Sequence, residues 1–489
     1  MNVIDGIYID GGWRRSSGGE SITVVNPYTE EPVGRASVST AAEVDAAVRS
    51  AHRAFTEGGW PETPLDERVE ICQRIAGLIT DRAGELATTA SASMGAPYAS
   101  WRTLGDSAGL IEMFTESVKR IPFEYLRQDG FGNTLIRRRP VGPVAGIVPW
   151  NGPIRSEVKK VIPAILAGCT IVLKSAPETP FGGAALGEIC TEAGLPPGVV
   201  NVVFGGASTG EALVTHPFIR KIAFTGSTDV GRRIATLAAQ EFKRLQLELG
   251  GKSAAIVLDD VDLDETLPWL DAGVFRAAGQ ICFANTRIVV ARSRYDEVVG
   301  ALAQRARAHV LGDPFDPATT MGPLVADRQR DRVRGYIEAG KAEGARLVTG
   351  GGTPAGQPRG WFVEPTVFSD VENSMKIAQE EIFGPVASVI PFDDEDDAVR
   401  IANDSRYGLG GAVHSADPLH ALRVAERVES GYIAINGFGI GGSGPFGGVK
   451  NSGMGRECGV EGFESFLEYI SYPVPAGFAD ELAKTVSVG

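Results

Sequence analysis

Histidine and cysteine are scarce in this sequence, five of each among 489 residues. The histidines (His52, His216, His309, His414, His420) form no HExxH and no close pair with a cysteine, so no metal site is expected. The cysteines (Cys72, Cys169, Cys190, Cys282, Cys458) are odd in number and contain no CxxC, which argues against a disulfide framework and for reduced thiols in an intracellular protein. Long apolar runs are missing as well. The longest, Val161 to Leu173, is interrupted by Pro163, Gly168 and Thr170 and falls short of the ~20 residues that cross a bilayer. There is no basic excess: 47 Lys and Arg against 61 Asp and Glu give a net charge of −14, which repels nucleic acid and anionic membrane, so neither is an expected partner. Asp5 and Asp10 precede the first basic residue, so the amino terminus does not read as a secretory signal, and the expected location is cytoplasmic.

What remains is ordinary globular material, 43% hydrophobic and 22% charged, long enough for two large domains or two with a small appendage. Val44, Ala47, Val48, Ala51 and Phe55 keep helical spacing, and Thr40 with Glu43 predicts a capping box at the start of that helix. A second helix is predicted from Thr63-Pro64, with Val69, Cys72, Ile75 and Ile79 on its buried stripe. Residues 120–140, with Gly130, Gly132 and the run Arg137 to Arg139, read as a protruding ribbon. After Pro143, short Val/Ile-rich runs at 144–148, 170–173, 199–204 and 221–224 alternate with segments of crossover-helix length, the pattern of successive βαβ units and a parallel sheet. A second alternation follows through 288–290, a helical 295–310, 347–348 and 386–390, predicting a second α/β domain. The acidic cluster Asp393 to Asp397 precedes the helical 398–403, where negative charge at a helix amino end explains it fully.

Three local motifs point elsewhere. Gly206-Ala207-Ser208-Thr209-Gly210 fits the GxSxG elbow of serine hydrolases and follows an apolar strand, so a hydrolase using Ser208 is the rival enzyme class, although no histidine sits in a recognisable setting for it. Gly437, Gly439 and Gly442 spell GxGxxG, but Pro445 follows and no helix opens, which favours a loop. Gly250-Gly251-Lys252-Ser253 resembles the end of a P-loop, yet Gln246 occupies the required first glycine position.

Cys282, in Gly279-Gln280-Ile281-Cys282, lies between a helical segment and a strand; a buried structural thiol is the default for such a residue. Glu248 is closely followed by Gly250 and Gly251, which leave room for a ligand. Asn151 ends an apolar strand at the edge where open α/β sheets bind ligands, and its amide can donate to a developing oxyanion.

Taken together, Pro149-Trp150-Asn151, Lys174, Phe224-Thr225-Gly226-Ser227, Glu248-Leu249-Gly250-Gly251-Lys252, Gly279-Gln280 with Cys282, Glu380 to Pro385, Asn436 and Pro445-Phe446-Gly447-Gly448 resemble the aldehyde dehydrogenase superfamily, in its hydrolytic NAD(P)-dependent branch. The resemblance runs in family order over roughly three hundred residues. It implies a Rossmann-like α/β cofactor domain over 1–120 and 141–248, an α/β catalytic domain over 249–452, and a small β oligomerisation element over 121–140 and 468–489. It also implies chemistry: attack by Cys282 on the aldehyde carbon, an oxyanion held by the Asn151 amide and the Cys282 backbone N–H, hydride loss to give a thioester, and hydrolysis by water that Glu248 activates, with Glu457 as a proton relay.

For the cofactor, the segment Gly226 to Gly231 follows a strand and opens a helix, so a pyrophosphate is expected against its amides near Gly226, Ser227 and Gly231. The resemblance implies that Trp150 lines the phosphate path, Lys174 reaches the adenine ribose, Lys160 lies near the cofactor, and Glu381 with Phe383 positions the nicotinamide end. The glutamate usual three residues after the lysine is absent: Ser175-Ala176-Pro177 intervene and Glu178 comes next, so NAD is the expected coenzyme with NADP as the alternative. Gly152 predicts a wide channel for a bulky aromatic, terpenoid or aliphatic aldehyde; Arg155 or Lys159 turned inward would favour a carboxylated semialdehyde instead. A homodimer or homotetramer is implied. A catalytically silent protein that keeps the fold is the alternative outside the enzymes.

Overall fold

A computed structural model describes residues 2–104, 106–439 and 441–488. An eight-stranded sheet runs in the order Gly453–Met454, Arg244–Glu248, Lys221–Thr225, Pro143–Ile147, Thr170–Lys174, Val200–Val203, Gly6–Ile9, Gly12–Arg15. Its five central strands are parallel and its edges antiparallel. Helices cover both faces, so each central strand is buried on both sides: Val144, Ile171 and Val202 enter one core, Ala145, Val172 and Val203 the other. That two-sided burial is why these strands read as continuous apolar runs rather than alternating ones.

The second sheet, of seven strands, has the order Arg346–Thr349, Thr366–Ser369, Val386–Phe392, Arg287–Ala291, Ala254–Val257, Gly411–His414, Ala434–Ile435, parallel except for its first strand. The fold class expected from the sequence is therefore the observed one. The ribbon Glu124–Asp129 and Gly132–Pro140 pairs with the long strand Leu467–Val474 and with Ser487–Val488 in a third sheet. Gly489, the last residue of the expected oligomerisation element, lies outside the described residues.

The capping box forms as predicted: Thr40 N–H donates to Glu43 (2.8 Å) and Glu43 N–H donates to Thr40 Oγ1 (3.3 Å), starting the helix Ala41–Thr56. The next helix, Leu65–Asp81, starts one residue later than predicted, because the Thr63 hydroxyl donates to the Gly59 carbonyl (3.4 Å) and closes the preceding turn instead of capping. Cys72 is wholly buried on that helix. Among the described residues no helix is long and apolar enough to cross a membrane, and no cluster of His, Cys, Asp and Glu is arranged to hold a metal.

In the first sheet the chain proceeds from Pro143–Ile147 outward to one side through Thr170–Lys174 and Val200–Val203, then returns to its other side with Lys221–Thr225. This reversal leaves a crevice at the carboxyl ends of Pro143–Ile147 and Lys221–Thr225, the place where open α/β sheets take their ligands. The segments just beyond those two strands are Pro149-Trp150-Asn151 and Gly226-Ser227.

Candidate active site

A cavity of about 500 Å³ occupies this crevice. Trp150, Gly226, Ser227, Glu381 and Phe383 line it, with Thr228, Arg332 and Tyr407 among the residues that complete the wall. Ser227 caps the helix Thr228–Ala238, its hydroxyl accepting from Val230 N–H (3.4 Å), so the amino end of that helix opens beside the cavity and offers amide dipoles to an anion. Phe383, held at φ 61°, meets Trp150 edge to face at 5.3 Å. The Glu381 carboxylate accepts from Gly251 N–H (3.1 Å), and burial pushes its pKa up to about 7.

Three residues expected at the cofactor line neither this cavity nor the next. Lys160 is fully buried in a close ion pair with Glu457. Lys174 is buried, with Nζ donating to the Ser175 carbonyl (3.3 Å), and burial brings its pKa down to about 8. Gly231 packs its helix onto Leu249: a Cβ at 231 would stand 2.4 Å from that side chain, so this glycine serves close helix-strand contact.

A second cavity, of about 390 Å³, lies on the other side of Cys282. Its wall combines Trp101, Ile281, Phe283, Phe438 and Phe446 with Arg155, Lys159 and Arg276. Phe283 packs against Phe438 and Phe446 at ring separations of 5.4 and 5.8 Å. Pro149, Asn151, Thr225 and Cys282 border both cavities, so the sulfur stands where they meet. Cys282 is half-buried, whereas the other four cysteines are buried, and all five are unpaired.

The loop that carries Cys282 is shaped by close backbone approaches. Ala277, Ala278 and Gly279 are all left-handed (φ 51°, 55° and 71°), a run that stores strain in the two alanines. A Cβ on Gly251 would come within 2.5 Å of the Cys282 carbonyl oxygen, and one on Gly250 within 2.4 Å of a Glu381 carboxylate oxygen. The two glycines after Glu248 thus let two walls of the site close up. Asn151 Nδ2 donates to the Gln280 carbonyl (2.9 Å), which fixes the amide and leaves its second N–H for another acceptor. Burial pushes the Cys282 thiol up to about 12, and the Lys159 charge acts against this.

Glu248 is buried and lines neither cavity. Its carboxylate rests against Gly447, and neither oxygen has a hydrogen-bond partner. Burial first, and the Glu457 charge second, hold its pKa well above the usual carboxylate range. Glu457 sits on the wall of the second cavity, paired with Lys160 and with Lys159 (3.3 Å), and accepts from the Thr225 hydroxyl at 3.5 Å. The two ammonium groups outweigh its burial and keep it below the usual carboxylate range.

Sequence reasoning did not single out Trp101, Arg276, Phe438 or Arg332. Phe438 lies between Gly437 and Gly439 of the GxGxxG loop, which says nothing of its own side chain, and Trp101, Arg276 and Arg332 belong to no motif. Ser208, on the first turn of Ala207–Thr215, is exposed. The histidines bonded to carboxylates are committed elsewhere, His216 to Asp45, His309 to Asp271 and His420 to Glu395, so no hydrolase triad forms around Ser208 among the described residues.

A crevice of dinucleotide-binding build that meets an aromatic cavity at one half-buried thiol is the arrangement of a thiol-dependent oxidoreductase. Over residues 13–471 the sequence matches the aldehyde dehydrogenase family, and the chain belongs to that family. It is 43% identical to geranial dehydrogenase from Castellaniella defragrans (95% of this chain, 98% of that one) and 42% identical to 3-succinoylsemialdehyde-pyridine dehydrogenase from a Pseudomonas species (94% and 96%). Among solved structures it is similar to a Mycobacterium tuberculosis aldehyde dehydrogenase complexed with NAD+ (TM-score 0.96, 44% identity, 97% of this chain and 99% of that one). It is also similar to a variant of aldehyde dehydrogenase C from Pseudomonas syringae in complex with NAD+ and octanal (TM-score 0.93, 42% identity, 96% and 97%).

Proposed function

We propose that this protein oxidises a bulky apolar aldehyde to its carboxylic acid, with Cys282 as nucleophile and NAD+ as coenzyme. The observation that carries the reading is the position of Cys282 at the meeting point of the two cavities. The crevice suits a dinucleotide in volume, in its helix amino end and in its buried Glu381, so Trp150, Gly226, Ser227, Glu381 and Phe383 are assigned to hold it. When bound, NAD+ supplies the acceptor for the hydride whose loss turns the thiohemiacetal into a thioester. Cys282 Sγ bonds to the aldehyde carbon, and the free N–H of Asn151 stabilises the oxyanion. Glu248 is the base that takes a proton from water for thioester hydrolysis; no hydrogen bond competes for its carboxyl in its buried place. Glu457, held as a carboxylate by the two lysines, raises the basicity of Glu248 and is assigned as the proton relay beside it.

The aromatic lining favours an apolar substrate, and the names of the geranial dehydrogenase relative and the octanal-bound neighbour agree with this. A second reading rests on Arg276, which borders the cavity over the Phe438 ring (5.9 Å) and could hold a substrate carboxylate; the semialdehyde-pyridine relative belongs with it. Lys159 does not add to that reading, since Glu457 already occupies it. An activity matrix of benzaldehyde, geranial, octanal and succinic semialdehyde against both coenzymes tests the proposal. The first three are expected to exceed the semialdehyde in kcat/KM by about tenfold or more, and the reverse order would transfer the assignment to the carboxylated class.

Glu178 forms a close ion pair with Arg328, and its charge acts on Lys174. A carboxylate at that point opposes a 2′-phosphate, so kcat/KM for NAD is expected to exceed that for NADP, and Glu178→Gln to narrow the gap by about tenfold. Equal kcat/KM for both coenzymes in the parent would refute this.

We further assign the first sheet to cofactor binding (1–120, 141–248), the second to catalysis (249–452) and the third (121–140, 468–489) to homodimer or homotetramer formation. The strand Leu467–Val474 leaves one long edge unpaired, with Tyr469 half exposed, and Phe131 stands fully exposed beside the ribbon's turn, features that a second copy would cover. Five unpaired thiols fit a cytoplasmic setting.

A further inference from the structure

Behind the substrate cavity lies a smaller chamber of about 200 Å³, walled by Ile79, Ala83, Leu86, Ala87 and Ala90 on one side and by Ile154 on the other. It has no part in the chemistry proposed for Cys282. Trp101, on the helix Tyr98–Leu104, is the single described residue that borders both spaces. Trp101 thus stands between them.

Two polar groups at this chamber lack partners. The Trp101 indole N–H is buried with no acceptor, and Ser107, wholly buried on the chamber wall, has a hydroxyl with no hydrogen bond. Buried donors are nearly always satisfied, so a chamber that leaves two of them open is suited to an occupant bringing an oxygen atom. Thr80 and Asp106 also line the chamber, so its wall joins aliphatic side chains, which suit methylene groups, to polar ones, which suit an oxygen.

We propose that Trp101 is the end wall that limits substrate length, and that the chamber behind it takes the distal part of a long-chain aldehyde carrying a hydroxyl or keto oxygen once the indole no longer separates the two spaces. This rests on the second cavity being the aldehyde site. Replacing the indole with a small side chain joins the chambers and gives the chain a second apolar lining.

The test compares hexanal, dodecanal and 12-hydroxydodecanal in the parent, Trp101→Ala, and Trp101→Ala combined with Ala87→Phe, which refills the chamber. Trp101→Ala is expected to raise the dodecanal-to-hexanal ratio of kcat/KM by about tenfold or more, within the range that a few methylenes in an apolar pocket command. The hydroxylated chain should gain more than dodecanal, and that excess should vanish when Ser107→Ala is added. The double variant should return the dodecanal-to-hexanal ratio to the parent value. If Trp101→Ala does not accumulate as folded protein, Trp101→Leu takes its place. A ratio that moves less than about threefold, a gain that survives Ala87→Phe, or no preference for the hydroxylated chain overturns the proposal. Hexanal turnover separates this failure from that of the underlying reading: if the parent oxidises no aldehyde, the function itself is wrong, whereas retained hexanal activity with an unchanged length profile removes only the chamber.

Discussion

Cys282→Ser is expected to lower kcat/KM for every aldehyde by about 10⁴-fold or more, the order seen when an enzyme loses its nucleophile. A serine hydroxyl in the same surroundings is far harder to ionise than a thiol, and burial already pushes the thiol up to about 12. Intact-mass spectrometry of parent protein quenched during turnover should show an acyl adduct, absent from the variant. Iodoacetamide should modify Cys282 ahead of Cys72, Cys169, Cys190 and Cys458, because Cys282 is half-buried and borders two cavities whereas the other four are buried. Aldehyde oxidation by the serine variant at the parent's rate would remove the sulfur from the reaction.

Glu248→Gln is expected to spare acylation and to slow release of the acid by about 10²–10⁴-fold, the usual share of a general base. The signature is a burst of about one NADH per site followed by a slow steady state, with acyl-enzyme accumulating in the mass spectrum. The pH dependence follows from the environment of the carboxyl. Burial and the neighbouring Glu457 charge hold Glu248 protonated above the usual carboxylate range, and only its ionised form can accept a proton from water. Hydrolysis should therefore rise with pH along a limb placed higher than an ordinary glutamate would give, and this limb should disappear in Glu248→Gln. Glu457→Gln removes the repelling charge while Lys159 and Lys160 remain, so the limb should move to lower pH. Breaking that buried pair costs about 3–5 kcal/mol, so a thermal melt must accompany the measurement. A steady state without a burst in Glu248→Gln would mean that the water is activated elsewhere.

The parallel sheets were legible in the sequence because strands buried on both faces become unbroken Val/Ile runs, and Pro149-Trp150-Asn151 could be placed because it directly follows such a strand. Cys282 was legible through its motif, although its exposure was not: that depends on the left-handed arc from Ala277 to Gly279 and on Gly251 approaching the Cys282 carbonyl. The pairing of Lys160 was not legible, because the sequence gives its helix but not its partner, and Glu457 lies almost three hundred residues further along the chain. Glu248 was found as a residue but not in its pose, which is set by contact with Gly447. Trp101 escaped notice because a tryptophan in a short helix carries no sign of which spaces it divides.

Cys282 opens toward two spaces, the crevice beside Ser227 and the aromatic cavity beside Phe283. On the function proposed above, two doorways would serve this atom, so the coenzyme side could empty while the acyl group is still tethered to sulfur and the water that frees it could arrive from there.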